Sequence, residues 1–419
     1  MQRSLFTAVS GLRNHQVKLD VIGNNIANVN TIAFKASRVR FQDVFSQTIR
    51  GASAPLGGRG GTNPAQVGLG MTVGAIDTVH SQGSPQYTGN YTDMAIQGSG
   101  FFVVSDGLNI FYTRDGSFSR AANGELVNSA TGVKLLGWTA DAAGNIDTSG
   151  PLGTLNIPIG EDYVTKATEN INIAGNLDAL LDAGDQHTTD VLVYDSQGGV
   201  YTLTLTFTKT SANNWDWEAE LFDANGDPVT LHSTNHGGSL EFDTEGALSN
   251  VNRSRVLTTG LAGAGVNQLD ITLDFTGLTQ LVADPMVGST AKANYQDGFP
   301  VGELEGYVIG KTGVISGVYT NGMIRDLGQI AMAVFPNAEG LQKAGSNMYT
   351  VSANSGLARI GAPGSEGRGT IETSALEMSN VDLSYEFTEM ITTTRAYQAN
   401  SRVITSSDEL LQEVVNLKR

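Results

Sequence analysis

Apolar positions recur every seven residues at both ends of the chain and every two residues through much of its middle. At the N-terminus Leu5, Leu12, Leu19 and Ile26 form one line, and Ala8, His15, Ile22 and Val29 form a second line offset by three. Together they make an a/d seam of four heptads, which predicts a helix from Ser4, as N-cap, to near Asn30. At the C-terminus Leu383, Met390, Tyr397, Ile404 and Leu411 repeat the pattern. Asn380 is the expected N-cap there, with the Asp382 carboxylate in the first turn where it suits the helix dipole. No Gly or Pro follows Gly369, so this helix is expected to run over 381–417. The N-terminal helix carries Gly11, Gly23, Asn14, Asn24, Asn25 and Asn28, all poor helix formers. Two such helices bury one narrow seam and are marginal alone. Three readings stay open: core helices of a globular domain, an antiparallel pair of chain ends, and helices that pack in a many-chain assembly. An interfacial membrane helix fits less well, because the polar face carries few Lys or Arg.

Between about 70 and 375 the period changes to two. In Tyr201 to Phe207 (YTLTLTF) and Trp215 to Leu221 (WDWEAEL), apolar and polar residues alternate, as expected of half-buried antiparallel strands. Gly100 to Val104 (GFFVV) and Leu327 to Phe335 (LGQIAMAVF) read as buried strands. Asn123-Gly124, Asn225-Gly226 and Asn321-Gly322 are hairpin turns by composition. Gly-rich stretches at 51–70 and 361–370 read as linkers. The expected fold is mainly β with long terminal α-helices, nested like brackets. Residues 1–35 and 376–419 would form one helical domain from both chain ends, and 36–75 an extended Gly-rich linker. Residues 76–155 and 295–375 would form a middle antiparallel β domain, and 156–294 an outer acidic antiparallel β domain.

Composition narrows the function. The 419 residues hold 25 Lys and Arg against 42 Asp and Glu, a net charge of −17. A nucleic-acid binder needs a basic surface to displace counterions, so none is expected here. The charge is uneven: residues 1–50 carry seven basic and two acidic side chains, and 161–294 carry five basic and nineteen acidic. There is no cysteine, which removes disulfides, thiolate metal sites and cysteine nucleophiles. No stretch reads as a cleaved secretory signal or a membrane span, so no membrane insertion is expected. By these signals alone the chain reads as cytoplasmic, although some export routes use no cleaved signal.

No catalytic, cofactor or metal site emerges. His232 and His236 have i,i+4 spacing but lack the glutamate of a zinc-protease helix. Gly310-Lys311-Thr312 is not a phosphate loop, since Glu305 stands where that loop needs glycine. Asp223 to Asp227 begins like a calcium loop, but Pro228 occupies the glycine position. Trp215 and Trp217 are the candidates for a competing reading, a secreted β-rich glycan-binding module.

Several segments carry a family resemblance. Asn24 to Thr31 (NNIANVNT), including Asn28 and Asn30, is followed by Phe34 and Lys35, with Ala33 where the family usually has Gly. Gly98 to Val104, Phe111 to Phe118, Asn123 to Val127 and Leu136 to Trp138 continue it. Ser379 to Phe387, with Asn380 and Asp382, and Arg395 to Arg402 close it. In combination these resemble the bacterial flagellar rod and hook axial proteins. The insertion at 156–294, with Val193 to Gly198 (VYDSQG), is similar to the hook branch rather than to the shorter rod proteins. The resemblance implies a non-enzymatic structural subunit without cofactor. It implies a homo-polymer, secreted unfolded by the flagellar type III export apparatus to an extracellular position in the flagellum. It implies rod proteins, a hook cap and hook–filament junction proteins as partners. It also implies an inner tube built from the terminal helices, which makes Leu5, Leu12, Leu19, Ile26, Leu383, Met390, Tyr397, Ile404 and Leu411 the candidate assembly residues. The in-family alternative is a distal rod subunit.

Overall fold

The structure is a computed structural model. It describes residues 2–55, 60–141, 143–160, 162–229, 236–249, 254–259, 269–284 and 286–416, with backbone alone at 2 and 254–259. The chain divides into two compact units: 1–157, 308–316 and 326–419 in the first, 158–307 and 317–325 in the second.

The first unit holds both helices. Helix α1 spans Gln2–Ala27 and helix α2 spans Leu383–Asn416. At 26 and 34 residues they are about 39 and 51 Å long at about 1.5 Å per residue. Ser4 therefore lies inside α1, not at its cap. Asp382, not Asn380, caps α2, because it immediately precedes the first helical residue. Its Oδ1 accepts from the backbone N–H of Ser384 (2.8 Å) and Tyr385 (3.3 Å). Asn380 does different work. Its Oδ1 accepts from the Ala36 N–H at 2.8 Å and its Nδ2 donates to the Val79 carbonyl at 2.8 Å, holding two chain segments beside the root of α2.

The stretch read as a linker contains strands. Ser37–Asp43 pairs antiparallel with Met71–Thr78, and Ser46–Arg50 with Ala65–Gly68. Val39 and Phe41 do alternate with Arg38, Arg40 and Gln42, but the run is short and the Gly-rich tip that follows hides it. The turn into this arm passes through Ala33, fully buried at φ +57. An L-residue tolerates that conformation only at a cost, which explains why glycine suits the position.

The β part of the unit is organised around Lys134–Thr139. It pairs with Phe101–Ser105 on one edge and, through Gly137 and Ile330, with the strand ending at Ile330 on the other. Phe101–Ser105 in turn pairs with Ile110–Thr113 and Met332–Val334. Phe101, Val103, Tyr112, Trp138, Ala331, Phe335 and Tyr349 share one core. The Asn123-Gly124 hairpin needs its glycine twice: φ is +83, and a Cβ there would lie 2.2 Å from Asn156 Oδ1.

The second unit packs two sheets on a common core. In one, Val200–Ser211 lies between Gln186–Tyr194 and Asn214–Phe222, which pairs onward with Gly237–Glu241. In the other, Asn170–Asp178 runs parallel to Leu269–Leu281 and antiparallel to Lys292–Gln296. The alternation read from the sequence holds in both tested strands: Leu203, Leu205, Phe207, Trp215, Trp217, Ala219 and Leu221 are all buried. Trp217 meets Phe275 at 5.1 Å between ring centroids, which joins the two sheets.

Candidate functional site

The roots of both helices converge on one buried carboxylate. Lys35 follows α1, Glu377 precedes α2, and Arg114 comes from the Phe111 to Phe118 segment. Lys35 Nζ donates to Glu377 Oε1 at 2.6 Å, and Arg114 Nη1 to Glu377 Oε2 at 3.1 Å. The side chains are 0, 1 and 5% exposed for Lys35, Glu377 and Arg114. The Gly83 N–H adds a third donor to Oε1 at 2.8 Å, while Lys35 also donates to the Ser81 carbonyl and Arg114 to that of Gly98. Each polar atom of the carboxylate is thus matched, which a buried charge requires.

His80 packs edge-on against Phe101 at 5.5 Å and Tyr349 at 5.3 Å, beside these cations. Burial pushes its pKa down from 6.5 to about 4; Lys35, Arg114 and Lys343 push the same way, against a weaker pull from the Ala338 backbone. A folded pKa below the unfolded one means that the unfolded chain takes the proton first. Stability is then present above pH 6.5 and lost as the pH falls toward 4. The loss should reach roughly 3 kcal/mol by pH 4, at about 1.4 kcal/mol per unit of displacement. Urea midpoints of the first unit, measured from pH 7 to pH 4, check this: the slope should flatten in His80→Phe, and an unchanged slope contradicts it.

The helices themselves meet along a polar line. Asn25 is 1% exposed. Its Nδ2 donates to Glu386 Oε1 (2.9 Å) and to the Ser37 carbonyl (2.9 Å), while its Oδ1 accepts from the Ser37 N–H (3.0 Å). Burial pushes the Glu386 carboxyl up, with the Asn25 amide opposing. Lys18 pairs with Glu389 at 2.5 Å. Gly11 lies against Asn400, where a Cβ would come within 2.8 Å of the amide nitrogen; Gly23 faces open space. Asn14 Nδ2 donates to the Met71 carbonyl, tying α1 to the arm.

The leucine line is placed differently. Leu5, Leu12, Leu19 and Ile26 are half-buried, as are Met390, Ile404 and Leu411, while Leu383 and Tyr397 are exposed. The deeply buried positions are Ala8, Gly11, Ile22 and Asn25 on α1 and Glu386, Thr393 and Ser407 on α2. Large apolar side chains on α2 face outward: Tyr385, Phe387, Ile391, Val403, Leu410, Val414 and Val415. Of the signature polar residues, Asn25, Asn380 and Asp382 take the roles described. Asn28 bonds back to the Asn24 carbonyl and accepts from the Thr31 hydroxyl, closing the end of α1. Asn24, Asn30 and Arg395 are exposed. Glu377, Arg114 and His80 escaped the sequence reading, although Arg114 stood inside a quoted motif.

Among the described residues no three His, Cys, Asp or Glu side chains converge as a metal site. His232 lies outside the described residues. Asp223 closes a hairpin turn by accepting from the N–H of Asn225 and Asp227. Gly310 and Val314 close another around Lys311. Among the described residues no helix is long and apolar enough to cross a membrane.

A chain whose two ends pair as helices around nested β structure, with its apolar helix faces outward, has the build of a flagellar axial protein. Four family profiles match it in order. They are the flagella basal body rod protein at 5–35, the flagellar hook protein FlgE/F/G D1 domain at 95–177, the flagellar basal body protein FlaE D2 domain at 164–299, and the flagellar basal body rod FlgEFG protein C-terminal at 372–417. The chain is 43% identical to the flagellar hook protein FlgE of Borreliella burgdorferi and 41% identical to that of Treponema pallidum, with all of both chains covered in each case. It is 32% identical, again over the full length of both, to the flagellar basal-body rod protein FlgG of Bacillus subtilis. A crystal structure of Helicobacter pylori flagellar hook protein FlgE2 shares the fold, with a TM-score of 0.50, 17% identity, and coverage of 70% of this chain and all of that one. The chain belongs to the flagellar hook protein family: it is a non-enzymatic structural subunit of the flagellum, in a family whose members polymerise.

Proposed function

We propose that the chain assembles into a curved, flexible tube that couples motor torque to the flagellar filament, and that copies join through the outward faces of α1 and α2. One observation carries this reading. The helix pair buries polar side chains inside and leaves Tyr385, Phe387, Ile391, Tyr397, Val403 and Leu410 exposed, with the leucine line of α1 half-covered. Apolar surface of that extent on a water-soluble chain marks an interaction site. Covering it with further copies supplies the burial that a lone pair lacks. In this reading Leu5, Leu12, Leu19, Ile26, Leu383, Met390, Tyr397, Ile404 and Leu411 line contacts between copies. The subunit leaves the cell unfolded through the type III export apparatus and sits outside it, between rod proteins and the junction proteins of the filament, under a cap. A chain without cysteine suits such export, because no disulfide forms on the way.

The rod relative in Bacillus subtilis supports a second reading, a straight distal rod. The glycan-binding reading loses its candidates, since Trp215 and Trp217 are 0 and 2% exposed. Electron microscopy of the concentrated full-length chain separates the outcomes. Curved tubes are expected; straight tubes favour the rod, and no polymer contradicts both.

A further inference from the structure

The three Asn-Gly pairs of the chain sit in one and the same backbone turn. At Asn123-Gly124, Asn225-Gly226 and Asn321-Gly322 the glycine takes φ +83, +87 and +80. Its N–H donates to the carbonyl three residues back, Ala121 (3.0 Å), Asp223 (3.0 Å) or Tyr319 (2.9 Å). The N–H of that earlier residue donates to the carbonyl just after the glycine, on Glu125 (2.8 Å), Asp227 (2.9 Å) or Met323 (3.0 Å). With the backbone repeated three times, any difference in reactivity comes from the side chains and their surroundings.

An asparagine before glycine has a reaction of its own. The glycine backbone nitrogen attacks the asparagine Cγ, and the new C–N bond closes a five-membered succinimide. The Cγ–Nδ2 bond breaks, and ammonia leaves with the proton that the glycine nitrogen gives up. Water then opens the ring at either carbonyl and leaves aspartate or isoaspartate. Glycine allows the approach because it carries no Cβ. The asparagine must first swing its Cγ onto that nitrogen, giving up the hydrogen bonds of its amide.

The three amides are held very differently. Asn321 Nδ2 donates to the carbonyls of Pro300 (2.8 Å) and Val164 (3.4 Å), and its Oδ1 accepts from the Met323 N–H at 3.0 Å. The amide also packs on Gly302, where a Cβ would come within 2.3 Å of its Cγ. Asn123 Nδ2 donates to Glu125 Oε2 at 2.6 Å and its Oδ1 accepts from the Glu125 N–H at 3.3 Å. Gly124 is buried, and its carbonyl accepts from Ile157 at 2.8 Å. Asn225 Nδ2 has one long bond, to Asp223 Oδ2 at 3.3 Å, and among the described residues none donates to its Oδ1. Asn225 and Gly226 are both exposed, and a Cβ on Gly226 would meet nothing within 4 Å. The pairing behind this turn is short as well. Only Leu221 with Val229 and Phe222 with Pro228 follow it, so the turn opens at little cost.

We infer that Asn225 is a site of spontaneous deamidation in the folded chain, while the same turn chemistry is suppressed at Asn123 and Asn321. The reaction needs neither the terminal helices nor a second copy. It turns a neutral amide into a carboxylate between Asp223 and Asp227, adding one negative charge to an already acidic unit. The isoaspartate product also lengthens the main chain by one methylene, which misfits the turn and loosens Pro228–Val229 from its partner strand.

The sequence supplies its own control, because Asn123 and Asn225 both stand in the tripeptide Ala-Asn-Gly. The full-length chain is held in neutral buffer for several weeks, folded and in concentrated urea. Peptide mapping by mass spectrometry reads the mass gain at each asparagine, and electron-transfer fragmentation separates aspartate from isoaspartate. In urea Asn123 and Asn225 should react at equal rates. In the folded chain Asn225 should react at least several-fold faster than Asn123, with Asn321 slowest. Glu125→Ala, which removes the carboxylate that grips Asn123, should raise the rate at Asn123 several-fold and leave Asn225 unchanged. Equal rates at Asn225 and Asn123 in the folded wild-type chain overturn the inference. An Asn225 that stays intact when folded while it reacts in urea overturns it too, as does an Asn321 that reacts as fast as Asn225.

Discussion

A chain ending at Asn380, without residues 381–419, should form no sedimentable polymer at concentrations where the full-length chain assembles almost completely. The effect is large because α2 supplies most of the exposed apolar face proposed to join copies. It also removes the partner of α1, leaving Ala8, Ile22 and Asn25 uncovered, and an unsupported helix with two glycines frays. The β structure should survive. Glu377 remains, with Lys35, Arg114 and the Gly83 N–H around it, and Asn380 still holds Ala36 and Val79. Ultracentrifugation reads the polymer and near-ultraviolet circular dichroism reads the buried tryptophans. Normal tubes from the truncated chain would contradict the assignment of assembly to the helix faces.

Glu377→Ala should be the most damaging single substitution in the first unit. It leaves two buried cations, Lys35 and Arg114, and the Gly83 N–H without their common acceptor. Breaking a buried ion pair from one side costs about 3–5 kcal/mol, because the remaining charge stays desolvated. For a unit of this size that corresponds to roughly 10 °C in melting temperature. The three-residue cluster as a whole is worth less than the damage suggests. Replacing Lys35, Glu377 and Arg114 together by methionine removes every uncompensated charge and should recover most of the loss. Differential scanning calorimetry of the two variants distinguishes the cases; equal destabilisation would mean that packing, not charge, is at stake. Because Lys35 and Glu377 flank the two helices, the single variant should also loosen both roots.

Both helices and the period-two strands were legible because their signal is local and repeats. The heptads of Leu5 and Leu383 located α1 and α2, and the alternation around Leu203 and Trp217 located strands and their buried faces. Three features were not legible, each for a physical reason. Pattern reading follows apolar repeats, so it chose the leucine line, whereas the polar line of Glu386, Thr393 and Ser407 is the one buried within the chain. The Lys35–Glu377 contact joins residues at opposite ends of the sequence, and nothing local marks a charge as buried. The parallel pairing of Asn170–Asp178 with Leu269–Leu281 likewise depends on a long connection. Asn380 and Asp382 were both seen, but capping is decided by which residue abuts the first turn.

The central claim is that copies join through apolar helix faces left uncovered by a polar intrachain seam. Hydroxyl-radical footprinting of full-length monomer and assembled polymer, read by mass spectrometry at Tyr385, Phe387, Ile391 and Tyr397, tests it most directly. The account predicts strong labelling of all four in the monomer and marked protection of all four in the polymer. Equal labelling in the two states would contradict it.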